Sequence, residues 1–151
     1  FLQVALFLAL ATLAAARPEG PDARKQFLRA EKAILEKCSK ETKAPKGFVD
    51  DIFVREVVPS SKEGKCFTKC ALQNLKWMKS DGSLDAVAIA KLADKAYFNK
   101  EQNAKAAGIW KKCYAEQPKT GNDHCELAYK ALNCYFTGAK AAGLPRHSQG
   151  A

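Results

Sequence analysis

Residues 65–98 read KCFTKCALQNLKWMKSDGSLDAVAIAKLADKAYF, and this stretch decides the fold. Cys66 and Cys70 are four positions apart in a run with helical spacing, so both sulfurs lie on one helical face. Two cysteines one turn apart point in parallel directions, which disfavours a bond between them. This helix is therefore expected to be bonded to two other parts of the chain.

Six cysteines in a short exported chain indicate three disulfides, with fifteen possible pairings. They are Cys38, Cys66, Cys70, Cys113, Cys125 and Cys134. Cys125 and Cys134 lie on opposite faces of one predicted helix, about 13 Å apart along its axis, so they are not expected to pair. Excluding this pair and Cys66 with Cys70 leaves ten pairings open. The competing interpretation is a metal site, but neither histidine has finger-like spacing from a cysteine pair, so no metal or cofactor is expected.

The first sixteen residues, FLQVALFLALATLAAA, are uncharged and end in small residues at the positions a signal peptidase reads. We interpret residues 1–16 as a signal peptide. The competing membrane anchor would need about 20 apolar residues. Because an initiator Met and a basic first segment are missing, the sequence is expected to be truncated at its start. Residues 17–151 then form one secreted, extracellular domain.

The formal net charge of +9 is spread along the chain rather than concentrated in one block. A diffuse excess favours solubility and weak attraction to acidic surfaces, whereas a protein that reads nucleic acid concentrates its charge on one face. Neither a nucleic-acid partner nor stable membrane insertion is expected.

The periodicity of apolar residues predicts an all-α fold of six helices. The expected ranges are 22–41, 48–57, 62–79, a fourth helix after the SDGS turn, 100–116, and a sixth from GNDHCE to about Gly138. Ser83 is the expected cap of the fourth helix, and Asn122 or Asp123 that of the sixth. The sixth helix has only a narrow polar strip, so it should be close to central.

The cysteine spacing and the segments CFTKCALQNLKWMKSDGSLD and DHCELAYKALNCYF resemble the insect odorant-binding proteins of the PBP/GOBP type. The resemblance covers the whole chain after the signal peptide. It implies a compact six-helix bundle, stapled by interlocked disulfides, that encloses a hydrophobic ligand cavity. The implied disulfides are Cys38–Cys70, Cys66–Cys125 and Cys113–Cys134, one of the ten pairings that geometry leaves open.

The resemblance also implies positions that contribute to a ligand pocket, and helix faces add further candidates. The resemblance gives Leu72, Trp110, Ala131 and Tyr135. The helix faces give Leu75, Met78, Leu84, Ala88, Leu92, Tyr114, Leu127 and Phe136. For any single residue, an ordinary core position is the competing interpretation.

An enzyme is not expected. The segment NDHC supplies His124, but the paired cysteines and the glycine-rich calcium loop of a secreted phospholipase are missing, so His124 is interpreted as a first-turn surface residue. The favoured function is a secreted carrier that binds and transports small hydrophobic ligands such as odorants or pheromones, with a chemoreceptor or a second copy as candidate partners. The alternative is a basic, disulfide-stapled protein acting at anionic membrane surfaces in defence or secretions.

The C-terminal tail, 138–151, is expected to be irregular because Gly138 and Gly143 break helices and Pro145 fixes an extended or turned course. We expect residues 142–145 to fold over the pocket mouth, with His147 as a pH trigger. A frayed terminus is the competing interpretation.

Overall fold

The computed structural model of the protein describes residues 21–117, 123–146 and 148–149. These residues form six helices, as the periodicity predicts: α1 Pro21–Thr42, α2 Gly47–Phe53, α3 Lys62–Asn74, α4 Ala86–Ala93, α5 Lys100–Glu116 and α6 His124–Ala141. The all-α prediction is thus confirmed. The predicted signal peptide, residues 1–16, lies outside the described residues.

Four helices begin at a polar side chain that accepts a hydrogen bond from a backbone N–H three residues later, which satisfies one orphan donor of the first turn. These caps are Ser61 for α3, Asp85 for α4, Asn99 for α5 and Asp123 for α6. The prediction that Ser83 caps α4 is wrong. Its N–H and hydroxyl instead bond to the carboxylate of Asp81, at 2.9 and 2.6 Å, which closes the turn before α4.

Helix α3 ends at Asn74, five residues before its predicted end. Lys76 adopts a left-handed conformation with φ +65°, and the N–H groups of Trp77 and Met78 both bond to the carbonyl of Leu72, at 2.9 and 3.1 Å. This is a Schellman-type ending with a lysine where glycine is usual. Helix α2 ends at Phe53, before its predicted end at Val57, and Glu56 beyond it adopts a left-handed conformation with φ +53°.

Helix α6 is the central element, as its narrow polar strip predicts. Its buried residues are Leu127, Ala128, Ala131, Leu132, Tyr135, Phe136 and Ala139. Helix α3 packs against it, and at this contact the ammonium of Lys65 lies 2.6 Å from the carboxylate of Glu126 and 4.8 Å from the ring centre of Tyr129.

The helix-breaking role assigned to Gly138 is wrong, because α6 continues through it to Ala141. A Cβ atom at this position would lie 2.7 Å from the Cγ2 atom of Ile109 in α5. Glycine is therefore required by close packing of α5 on α6 rather than by a turn. The helix ends at Ala141, two residues before Gly143, which adopts φ +69°.

Three disulfides join four of the helices and confirm the pairing implied by the resemblance. Cys38–Cys70 joins α1 to α3, Cys66–Cys125 joins α3 to α6, and Cys113–Cys134 joins α5 to α6. All six cysteines are paired. Helices α2 and α4 carry no cysteine, so only the backbone and noncovalent contacts hold them to the rest of the bundle.

Among the residues that the structure describes, no helix combines the length and the apolar character needed to cross a membrane.

Candidate functional site

A cavity of about 250 Å³ lies between α4 and α5. Its walls are the facing stripes of the two helices, with residues at the spacings of three and four positions that bring side chains onto one helical face. The lining residues are Ala86, Ile89 and Ala90 from α4, and Ala107, Trp110, Lys111 and Tyr114 from α5.

The cavity owes its space to small side chains opposite large rings. Three alanines line it, and an alanine leaves room that a larger side chain would fill. The rings of Trp110 and Tyr114 and the side chain of Ile89 supply apolar surface that a ligand would remove from water. The lining side chains that carry polar groups are Trp110 with its indole N–H, Tyr114 with its phenol and Lys111 with its ammonium. Apolar walls with a few polar groups are typical of sites for small molecules.

Behind Trp110, a chain of aromatic rings connects the cavity wall to the core. The Trp110 ring stacks on Tyr135 with centroids 4.3 Å apart and planes 10° apart, and Trp77 meets it edge-on at 5.1 Å. The Tyr135 hydroxyl lies 2.7 Å from that of Tyr97, in the segment between α4 and α5. Since both tyrosines are buried, this hydrogen bond fixes the ring that supports Trp110.

Burial raises the pKa of both tyrosines, because an anionic phenolate is poorly solvated there. The negative charges of Glu31 and Glu56 raise these pKa values further. The cationic group of Arg24 lies 3.9 Å from the ring centre of Phe98 and slightly opposes this effect at Tyr97. Both phenols are therefore neutral at physiological pH and act as hydrogen-bonding groups only.

Two of the twelve predicted ligand-binding residues, Trp110 and Tyr114, line the described cavity. Seven others are buried in the packed core: Leu72, Met78, Leu84, Leu127, Ala131, Tyr135 and Phe136. Leu75, Ala88 and Leu92 are half-buried. Their part in ligand binding stays a prediction.

Sequence reasoning missed five lining residues: Ala86, Ile89, Ala90, Ala107 and Lys111. A signal for part of this set was present, because 107, 110, 111 and 114 follow the three-and-four spacing of a single helical face. Alanines contribute little to an apolar stripe, and an exposed lysine ordinarily indicates the solvent side.

His124 is the first residue of α6 and is half-buried, in agreement with its interpretation as a first-turn residue. Its imidazole ring packs so closely against Gly82 that a side chain at that position would collide with it. Gly82 also has φ +84°, so the turn before α4 requires glycine for two reasons. This contact gives His124 a packing role.

Within the described parts of the chain, one group of side chains has the composition of a metal site: Cys38, Glu41 and Cys70. The two sulfurs are bonded to each other in a disulfide and therefore offer no thiolate.

A Schellman motif ends α6 and begins the tail. The N–H of Leu144 bonds to the carbonyl of Ala139 at 3.0 Å, and the N–H of Gly143 to that of Lys140 at 3.1 Å. Leu144 is half-buried against the core, as this motif favours. The local cap accounts for its burial, and the lid over a pocket mouth stays a prediction. His147, the predicted pH trigger, lies outside the described residues.

Known proteins share both the sequence and the fold. General odorant-binding protein 19d of Drosophila melanogaster is 28% identical over 114 residues, which cover 74% of this chain and 73% of that protein. The solved structure of odorant-binding protein dmelOBP28a, also from Drosophila melanogaster, superposes with a TM-score of 0.67 at 27% identity, covering 81% of this chain and 99% of that one.

A second solved structure shows the same fold at lower identity. The pheromone-binding protein of the cockroach Leucophaea maderae, solved in complex with the fluorescent reporter ANS, has a TM-score of 0.63 at 16% identity and covers 75% of this chain and 95% of that one. The model of the PBP/GOBP family matches residues 22–138, which include all six cysteines. The chain therefore belongs to the PBP/GOBP family of insect odorant-binding proteins.

Proposed function

We propose that this protein is a secreted carrier that binds and transports small hydrophobic ligands such as odorants or pheromones. The cavity between α4 and α5 carries this proposal, because its apolar walls can remove a ligand's surface from water. Family membership supports the same function. The carrier holds its ligand by apolar contact and needs no chemical step.

The three disulfides support both secretion and the tolerance of internal space. Disulfides persist in oxidising compartments such as the secretory pathway and the extracellular fluid. A domain cross-linked by three disulfides does not depend on a perfectly packed core for its stability, so it can retain a cavity. Expression in insect cells with an added initiator Met tests the secretion. The chain recovered from the medium should begin at Arg17, and retention of residues 1–16 would contradict the signal-peptide prediction.

Uptake of the neutral fluorescent probe N-phenyl-1-naphthylamine tests the carrier function. The oxidised protein should bind it with saturable stoichiometry, and the affinity should be insensitive to salt because no charge is involved. Saturable uptake that weakens steeply with salt, or uptake that requires anionic vesicles, would favour action at membrane surfaces instead.

A pair of matched variants locates the binding site. Ala90 lines the cavity, whereas Ala33 lies on α1, and both are exposed alanines within helices. Ala90→Phe should fill the cavity and weaken probe binding by about ten-fold or more, since the ring occupies the ligand's space. Ala33→Phe adds the same ring elsewhere and should leave binding unchanged. Equal affinities for the two variants would contradict this placement of the site.

A further inference from the structure

We propose that the ligand class of this carrier is an apolar molecule that ends in an anionic group, with Lys111 holding the anion at the edge of the cavity. This inference rests on the proposed function and deepens it. Among the residues that the structure describes, the cavity lining contains one cation, Lys111, and no acidic residue. A carboxylate is the ligand group that this lining complements best.

Lys111 differs from Lys105 and Lys112 of α5 because those two lysines form ion pairs within the helix. Lys105 lies 3.2 Å from Glu101, and Lys112 lies 3.9 Å from Glu116, each pair one helical turn apart. No carboxylate in the described part of the chain forms an ion pair with Lys111. The ammonium can therefore receive a ligand's anion without first breaking an internal contact.

The position of Lys111 suits an amphiphile in particular. Lys111 belongs to the apolar lining, next to Trp110 in sequence, and is exposed to solvent. Lysine commonly places its methylenes along apolar surface and keeps its ammonium in water. A bound carboxylate would thus stay hydrated beside Lys111 while the alkyl chain lies against Trp110 and Ile89. Because the carboxylate keeps its water, the free-energy cost of desolvating its charge is small.

The nearest acidic residue along α4 does not oppose this arrangement strongly. Asp85 precedes Ala86, and its carboxylate accepts a hydrogen bond from the N–H of Ala88 at 3.0 Å. This capping contact directs the negative charge at the positive N-terminal end of α4. The protein as a whole is basic, with a net charge of +9, which further favours an anionic ligand.

The test compares decanoate with its uncharged analogue methyl decanoate, by calorimetric titration of the oxidised protein. Lys111→Gln should weaken decanoate binding about two- to five-fold, the range for an exposed ion pair, and leave methyl decanoate unchanged. Lys111→Glu should weaken decanoate further. Added salt should reduce the difference between the parent and Lys111→Gln.

Lys112→Gln is the matched control, because it removes the same charge from the next residue of α5, outside the lining. It should leave both affinities unchanged. The inference is overturned if the parent does not bind decanoate, if Lys111→Gln affects acid and ester equally or neither, or if Lys112→Gln reproduces its effect. Retained uptake of N-phenyl-1-naphthylamine in any of these cases would leave the carrier function standing.

Discussion

The phenolic oxygens of Tyr97 and Tyr135 lie 2.7 Å apart and join the segment after α4 to the central helix α6. Tyr135 in turn stacks on Trp110, which lines the cavity. The hydrogen bond thus holds Tyr135 in place, and the ring of Tyr135 supports Trp110 in the cavity wall. Both tyrosines are buried, so removing one hydroxyl leaves the other without its hydrogen-bond partner inside the core.

The hydrogen bond should appear as a coupling energy in a double-mutant cycle. Tyr97→Phe and Tyr135→Phe should each lower the free energy of unfolding by about 1 to 2 kcal/mol, because each leaves one buried hydroxyl without its partner. The double variant should cost less than the sum of the two. Urea unfolding of the four proteins measures the coupling, and strict additivity would show that the two hydroxyls do not interact.

The same pair predicts a loss of stability in alkaline solution. Folding raises the pKa of both tyrosines above the value of about 10 expected in the unfolded chain. Below pH 10 both states keep their phenolic protons and the pair contributes no pH dependence. Above it the unfolded state releases protons first, so the free energy of unfolding falls, by up to about 1.4 kcal/mol per pH unit for each tyrosine.

The double Phe variant supplies the control for this pH dependence. It retains every lysine, so it should follow the same pH profile as the parent except for the fall that the tyrosines cause. Guanidinium unfolding at pH 8, 10 and 11 checks this, and parallel profiles for the two proteins would contradict the assignment.

The disulfides should differ in their contribution to stability in the order of the loops they close. Cys66 and Cys125 are 59 residues apart, whereas Cys113 and Cys134 are 21 apart. The chain-entropy relation gives about 4 kcal/mol for the longer loop and about 3 kcal/mol for the shorter. Replacing each pair with serine and measuring thermal unfolding should reproduce this order. The reverse order would show that native contacts near the sulfurs outweigh loop length.

Replacing either of two helical glycines with alanine should change the free energy of unfolding, in opposite directions for the two positions. Gly138→Ala places a methyl group against Ile109 and should destabilise the protein by about 1 to 3 kcal/mol. Gly108 faces open space in α5, so Gly108→Ala should stabilise by about 0.5 to 1 kcal/mol through helix propensity. Urea unfolding measures both. Partial rescue of Gly138→Ala by Ile109→Ala would assign its cost to this contact, and a stabilising Gly138→Ala would contradict the packing explanation.

Helix positions follow from the sequence because apolar spacing and polar caps are local signals. The ends of α2 and α3 do not: Lys76 closes α3 in a left-handed backbone conformation, and Glu56, three residues beyond α2, adopts one as well. Neither residue type ordinarily favours that conformation, and the burial of Trp77 beyond α3 is a tertiary effect. Gly138 shows the converse, because a residue that breaks an isolated helix is retained where two helices approach closely.

The candidate site was predictable only in part. Trp110 was predicted from the resemblance to the family, and Tyr114 from its place on a helical face, where a large aromatic residue must pack against something. The cavity itself depends on where side chains are too small to meet, and the small side chains of Ala86, Ala90 and Ala107 contribute little to an apolar stripe. Seven of the twelve predicted residues are buried in the core, and helical periodicity does not distinguish a core position from a pocket wall.

The placement of the sulfurs bears on how large a ligand the cavity can accept. α1, α3, α5 and α6 form one covalently connected frame, and α5 belongs to it through Cys113. No disulfide joins the opposite wall, α4, to that frame, so α4 is held by the backbone at its two ends and by noncovalent contacts. A change in the separation of the two walls therefore strains no disulfide, and the cavity volume of about 250 Å³ depends on the noncovalent contacts between α4 and α5.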